Sequence, residues 1–187
     1  MSFINDKKQF LSKPDKSSAG CIDSAISSLV KKINLKENYY TTSSCAGRIV
    51  LMPETGKKSK NVFLKIWHEP ISFNEFKEIL YCSIKSYTGI IYLKHEPCIM
   101  HVACNSLEKA LPLINLARQS GWKKSGIISI RPEKVVCELV STEILAAPIA
   151  INKKVLADDN YLKTLISECN KKLVMTREKI RKFEKAL

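Results

Sequence analysis

The sequence predicts an α+β fold: a single domain over residues 1–187, with a mixed or antiparallel sheet covered by helices and a long C-terminal helix. Three observations predict it. Four segments read as helices, two by apolar residues at helical spacing and two by their cap and stop signals, and short apolar runs punctuated by Gly, Pro and Asn lie between them. The middle of the chain runs β-α-β-β-α-β, an order typical of α+β domains. No two of the six glycines are separated by a single residue, so the Gly-x-Gly turn of doubly wound nucleotide folds and the Walker loop are missing. Strands alternating with helices are also compatible with a parallel sheet. The tight strand pairs expected at 90–104 and 126–140 favour a mixed or antiparallel one.

The elements follow in order. Ile22, Ile26, Leu29, Val30 and Ile33 share one face of a helix. "NYYTTSS" and "GRIVLM" read as strands around a turn at Cys45. "PETGKKSKN" is a basic loop and "VFLKIW" a strand. Ser72 followed by Glu75 forms a capping box that opens the helix "SFNEFKEILYCSIK". "GIIYLKHE" and "CIMHVAC" are strands. The next helix has Ser106 as its cap and Gly121 as its stop, with Pro112 kinking it or marking its first turns. "SGIISIR" and "KVVCELV" are strands, and "TEILAAPIAIN" holds a short extended piece. From Asp158 to Leu187, apolar residues recur at alternating steps of four and three, which predicts one helix of about eight turns. Its narrow seam of Leu162, Ile166, Cys169, Leu173, Thr176, Ile180, Phe183 and Leu187 packs on the domain or pairs with another chain.

Composition narrows the function. Thirty-one basic residues against eighteen acidic ones give a net charge of +13, which favours a polyanionic partner such as nucleic acid. Seven scattered Cys with no Cys-x-x-Cys argue against a zinc ribbon or a disulfide framework, and fit a reduced, cytoplasmic protein. No spanning helix or secretory leader is expected. No His-Glu-x-x-His occurs, and no metal is expected.

The stretch "YYTTSSCAGRIVLM" concentrates chemistry. Gly47 tolerates angles closed to other residues, the hydroxyls of Thr42, Ser43 and Ser44 both donate and accept, and Arg48 offers a planar fork to phosphate or carboxylate. Together they make a polar pocket at a strand end; the plain alternative is an ordinary hairpin turn with a surface Arg. Cys45 is more naturally a small packed thiol than a nucleophile. Glu96 is a candidate proton acceptor and His101 a proton shuttle, although the apolar neighbours of His101 also suit a core histidine. In "SGWKKSG", Trp122 can stack on a base while Lys123 and Lys124 meet phosphates. Alternatively Trp122 is a lid on the core.

These blocks resemble one known family. "TTSSCAGRI" is similar to the characteristic segment of the wybutosine-synthesis methyltransferases, the third enzymes of the tRNA wybutosine pathway, and their archaeal relatives. "DKSSAGCID", "KHEPCIMHVAC", "SGWKKSGI", "STEILAAPI" and the closing helix follow in the family's order, so the resemblance covers nearly the whole chain. Ala19 and Glu143 depart from the Lys and His often found there. The resemblance implies S-adenosylmethionine-dependent methylation of N4 in a tricyclic guanosine derivative beside the anticodon of phenylalanine tRNA, on a scaffold that is not a Rossmann methyltransferase. It implies that Ser43, Ser44, Cys45, Gly47, Ser141 and Thr142 hold the cofactor. Glu96, His101 and Asp23 are then candidates for proton acceptance. Arg48, Lys123 and Lys124 would hold phosphates, with Trp122 or Tyr40 as the aromatic surface for an extruded base. Two rivals are a non-catalytic basic RNA-binding module and a protein scaffold built on the C-terminal helix.

Overall fold

The computed structural model describes residues 2–13, 22–54 and 63–187. The block at 15–21, Ala19 included, and most of the basic loop after Glu54 lie outside them. In chain order the elements are α1 (Phe3–Leu11), α2 (Ser24–Leu35), β1 (Tyr39–Cys45), β2 (Arg48–Pro53), β3 (Lys65–Trp67), α3 (Phe73–Ser86), β4 (Ile91–Glu96), β5 (Ile99–Cys104), α4 (Leu107–Gln119), β6 (Gly126–Arg131), β7 (Lys134–Val140), β8 (Leu145–Ile151), β9 (Lys154–Val155) and α5 (Asp159–Ala186).

The α+β class holds, and every strand pairing among the described residues is antiparallel. The strands form two sheets rather than one, and the chain divides into two compact units. The first comprises Met1–Ala46, Cys98–Thr142 and Thr176–Leu187; the second comprises Gly47–Pro97 and Glu143–Met175.

The first unit holds the sheet β1-β5-β7-β6. Its core gathers Ile26, Leu29, Val30 and Ile33 of α2, alternate residues of β5 and β7, and Ile180 and Phe183 of α5. The helical face read from the sequence is thus the buried one, except for Ile22, which is exposed. α4 begins at Ser106, whose Oγ accepts the Lys109 N–H at 3.3 Å, and runs through Pro112 to Gln119. It ends in a Schellman motif. Gly121 takes φ +97°, its N–H bonds Arg118 O, and the Trp122 N–H bonds Ala117 O at 2.9 Å.

The second unit holds the sheet β3-β2-β4-β8-β9. Its core combines Ile49 and Leu51, Ile91 and Leu93, Phe76 and Leu80 of α3, and Leu162, Ile166, Cys169 and Leu173 of α5. Ser72 caps α3 by accepting the Glu75 N–H, but the Glu75 carboxylate turns to the Trp67 indole N–H at 2.8 Å. The α5 seam from Leu162 to Phe183 is buried within this chain, which removes it as an open pairing surface.

Two expected hairpins are absent. β1 pairs with β5 and β2 with β4, so β1 and β2 do not pair with each other, nor do β4 and β5. A two-residue hairpin turn of the commonest kind needs positive φ at both positions, whereas Gly47 (φ +82°) has one and Ala46 does not. Between β4 and β5, Pro97 brings no N–H to a turn.

Candidate active site

In the first unit, polar side chains converge on backbone groups at the end of β1. Asp23 stands where α2 would be capped, yet makes no cap bond; its Oδ2 accepts the Ala46 N–H at 2.8 Å. Arg177 of α5 donates from Nη1 to the Ala46 carbonyl at 2.9 Å. The buried Ser141 bonds the Cys98 backbone twice, its Oγ accepting the Cys98 N–H at 3.1 Å and its own N–H reaching the Cys98 carbonyl at 3.0 Å. Lys179 donates to Thr142 Oγ1 at 2.8 Å. Ser44 and Cys45, opposite Met100 and Ile99, are half-buried at the strand end.

A second polar row crosses the same sheet. Ser43, His101 and Glu138 stand opposite one another on β1, β5 and β7. Ser43 Oγ lies 2.7 Å from His101 Nδ1, and His101 Nε2 lies 3.0 Å from Glu138 Oε1. His101 is therefore not a core histidine; it is hydrogen-bonded at both ring nitrogens and partly exposed.

The second unit holds the remaining candidates. Arg48 Nε donates to Glu96 Oε2 at 2.7 Å across β2 and β4, and the guanidinium lies 4.5 Å from the Phe63 ring centroid. The buried His95 donates from Nδ1 to the Glu143 carbonyl at 2.8 Å, so the residue at the position where the family often has His engages a histidine through its backbone.

The structure corrects the stacking assignment. Trp122 is fully buried, its indole N–H donating to Lys179 O and its ring against Phe183, so it offers no face to a base. The Schellman motif at Gly121 puts it there, because the residue after the glycine turns back onto the helix. Tyr40 is also fully buried, under Phe3 and Phe10 of α1. Lys123 and Lys124 are exposed. Sequence reasoning missed Glu138, Arg177 and Lys179. The two cations lie among many basic residues on α5, and Glu138 is marked only by its place in a strand. Among the described residues, no His, Cys, Asp and Glu group is placed to hold a metal, and no helix is long and apolar enough to cross a membrane. A shallow depression between Leu107 and Ile130 contains none of the candidates.

The fold is thus an antiparallel α+β one, unlike a doubly wound nucleotide binder, with hydroxyls, a carboxylate and two cations gathered at strand ends. The chain belongs to the methyltransferase TYW3 family, which matches residues 5–187. It is 38% identical, over 97% of its length and 91% of the relative's, to the tRNA(Phe) 7-((3-amino-3-carboxypropyl)-4-demethylwyosine(37)-N(4))-methyltransferase of Thermococcus sibiricus. It is 31% identical to the tRNA wybutosine-synthesizing protein 3 homolog of Xenopus laevis, covering all of this chain and 74% of that one. Among solved structures it is similar to the PH1069 protein from Pyrococcus horikoshii, with a TM-score of 0.85 and 34% identity over 98% of this chain and 93% of the other.

Proposed function

We propose that this protein is a cytoplasmic S-adenosylmethionine-dependent methyltransferase acting on N4 of the tricyclic 7-(3-amino-3-carboxypropyl)-4-demethylwyosine at position 37 of phenylalanine tRNA. The observation that carries this reading is the 38% identity, across nearly all of both chains, to a relative named for that methylation.

The donor set of the first unit fits the cofactor's chemistry. An amino-acid head group and a ribose call for a carboxylate, cations and hydroxyls, and Asp23, Lys179, Thr142 and Ser44 supply one or more of each. We assign Ser44, Cys45, Thr142 and Lys179 to holding the cofactor, with Cys45 as a small packing thiol. Ser141 fixes the Cys98 backbone, and Gly47 supplies the positive φ with which the chain leaves Ala46. The bound cofactor supplies an already activated methyl group, so the protein's task is alignment and removal of a proton from the acceptor nitrogen.

Of the candidate proton acceptors, His101 is the one set between a hydroxyl, Ser43, and a carboxylate, Glu138, and we assign it that role. Lys123 and Lys124 meet RNA phosphates. The test is direct. Purified protein is incubated with S-adenosylmethionine and phenylalanine tRNA carrying the demethylated precursor, and the digested nucleosides are weighed by mass spectrometry. The modified nucleoside gains one methylene. An unchanged mass, under conditions in which the Thermococcus enzyme converts the same tRNA, overturns the proposal.

A further inference from the structure

We propose that Ser43, His101 and Glu138 form a proton relay for the methyl transfer, in which Glu138 is a positioning residue and Ser43 the group that meets the acceptor base. The inference rests on the methyltransferase reading above.

Three features of the first unit carry it. The row is continuous: hydroxyl, imidazole and carboxylate lie in line on adjacent strands, at 2.7 and 3.0 Å. An ionised carboxylate only accepts, so in the neutral ring the hydrogen belongs on Nε2 and Nδ1 is left to accept the Ser43 hydroxyl proton. The row is also built by an irregularity. Thr41 pairs with Val102 and Ser43 with His101, so Thr42 is an extra residue on β1. Without this bulge Thr42 would stand opposite His101; with it, Ser43 is turned onto the His101 side of the sheet, which is the kind of re-aiming that bulges provide. Finally, among the described residues the row is open. α1 covers Tyr40, which shares this face through its partner Ala103, but Ser43 is exposed and the fourth position of the row is Gly126, where an added Cβ would meet open space.

The proton balance is simple. As the acceptor nitrogen gains its methyl group, it gives its proton to Ser43 Oγ, and the hydroxyl's own proton moves to His101 Nδ1. The resulting imidazolium is held by the Glu138 carboxylate and later loses its proton to water. Ser43 thus serves the proton rather than the cofactor.

The test is single-turnover methylation with saturating cofactor and the precursor tRNA. His101→Ala lowers the rate about 100-fold, in the range of positioned acid–base groups, with KM for tRNA unchanged. Added imidazole restores part of the rate, which a structural role does not predict. Glu138→Gln and Ser43→Ala each lower the rate about tenfold. Circular dichroism melting checks that the variants fold. Independently of activity, nitrogen NMR of the His101 ring shows the Nε2–H tautomer in the wild type and a mixture in Glu138→Ala. Variants with wild-type rates, a rate loss that imidazole does not relieve, or a ring protonated on Nδ1 overturn the relay alone. A wild-type protein that leaves the tRNA unmethylated overturns the methyltransferase reading instead.

Discussion

Ala46 carries no chemistry in its side chain, yet Asp23 and Arg177 both end on its buried backbone. A buried N–H left without its acceptor costs about 1–3 kcal/mol. Asp23→Ala is therefore expected to destabilise the protein by about that amount in urea unfolding, and Asp23→Asn by less, because an amide oxygen still accepts. An unchanged midpoint in Asp23→Ala would show the contact to be idle. The cysteines separate by environment in the same way. Burial pushes the Cys169 thiol up to about 12, whereas Cys82 is exposed. At pH 8 a thiol reagent should label Cys82 readily and leave Cys169 untouched until the protein unfolds, since only the thiolate reacts. The sign for stability follows. In the unfolded chain Cys169 ionises near its ordinary value of 9.0, before it does in the folded state, so its contribution falls as pH rises from about 9 to about 12. At this scale the sequence was half legible. Hydroxyls, thiol and arginine marked the segment, and the Gly121 stop is a local sign that Trp122 turns back onto its helix, but nothing local tells that Ser43 is rotated by a bulge, since that depends on a pairing distant in sequence.

Helices show which patterns sequence can carry. The α5 seam was readable because buried residues recur at fixed steps, and its burial has a measurable cost. Phe183 is fully buried with its ring centroid 5.4 Å from that of Trp122, so Phe183→Ala should destabilise by about 3–5 kcal/mol in thermal or urea unfolding. α1 was not readable, because it buries none of its residues. It is held by Phe3 and Phe10 on the Tyr40 ring and by Asp6, whose Oδ2 accepts from Lys134 at 2.7 Å and from the Tyr40 hydroxyl at 2.8 Å. The Lys134 hydrogen bond, followed by that of Tyr40, holds the Asp6 carboxyl below its ordinary value of 3.8. A depressed carboxyl stabilises above its unfolded value and loses that contribution as pH falls through the folded one. Below about pH 4, the amide resonances of Phe3–Leu11 should therefore move toward coil positions before those of β5 do. Asp6→Asn should produce the same loosening at neutral pH. If α1 and β5 respond together in both experiments, the carboxylate is not what anchors the helix.

For the whole molecule, class and charge were legible while strand partners were not. "TTSSCAGRIV" and "KHEPCIMH" read as hairpins because short strands separated by one or two turn-forming residues usually are, but each passes from one sheet to the other. Local sequence records where a strand stops, and the partner is chosen by contacts some fifty residues away, such as Ser44 with Met100. Charge needs no such information. A net +13 on 187 residues makes RNA binding an electrostatic matter, in which each phosphate neutralised releases counterions and adds about 0.7–0.9 to the slope of log affinity against log salt. Lys123 and Lys124 are exposed in the turn between α4 and β6, and the Lys124 N–H bonds Val140 O, so removing both side chains leaves that backbone bond in place. The double variant Lys123→Ala, Lys124→Ala should thus fold normally, bind phenylalanine tRNA more weakly at low salt, and show a slope shallower by about 1.5. Filter binding across a salt series reads both quantities. Slopes that coincide within error, with equal affinities, would remove this corner from the RNA surface and move the phosphate contacts to the basic faces of α5.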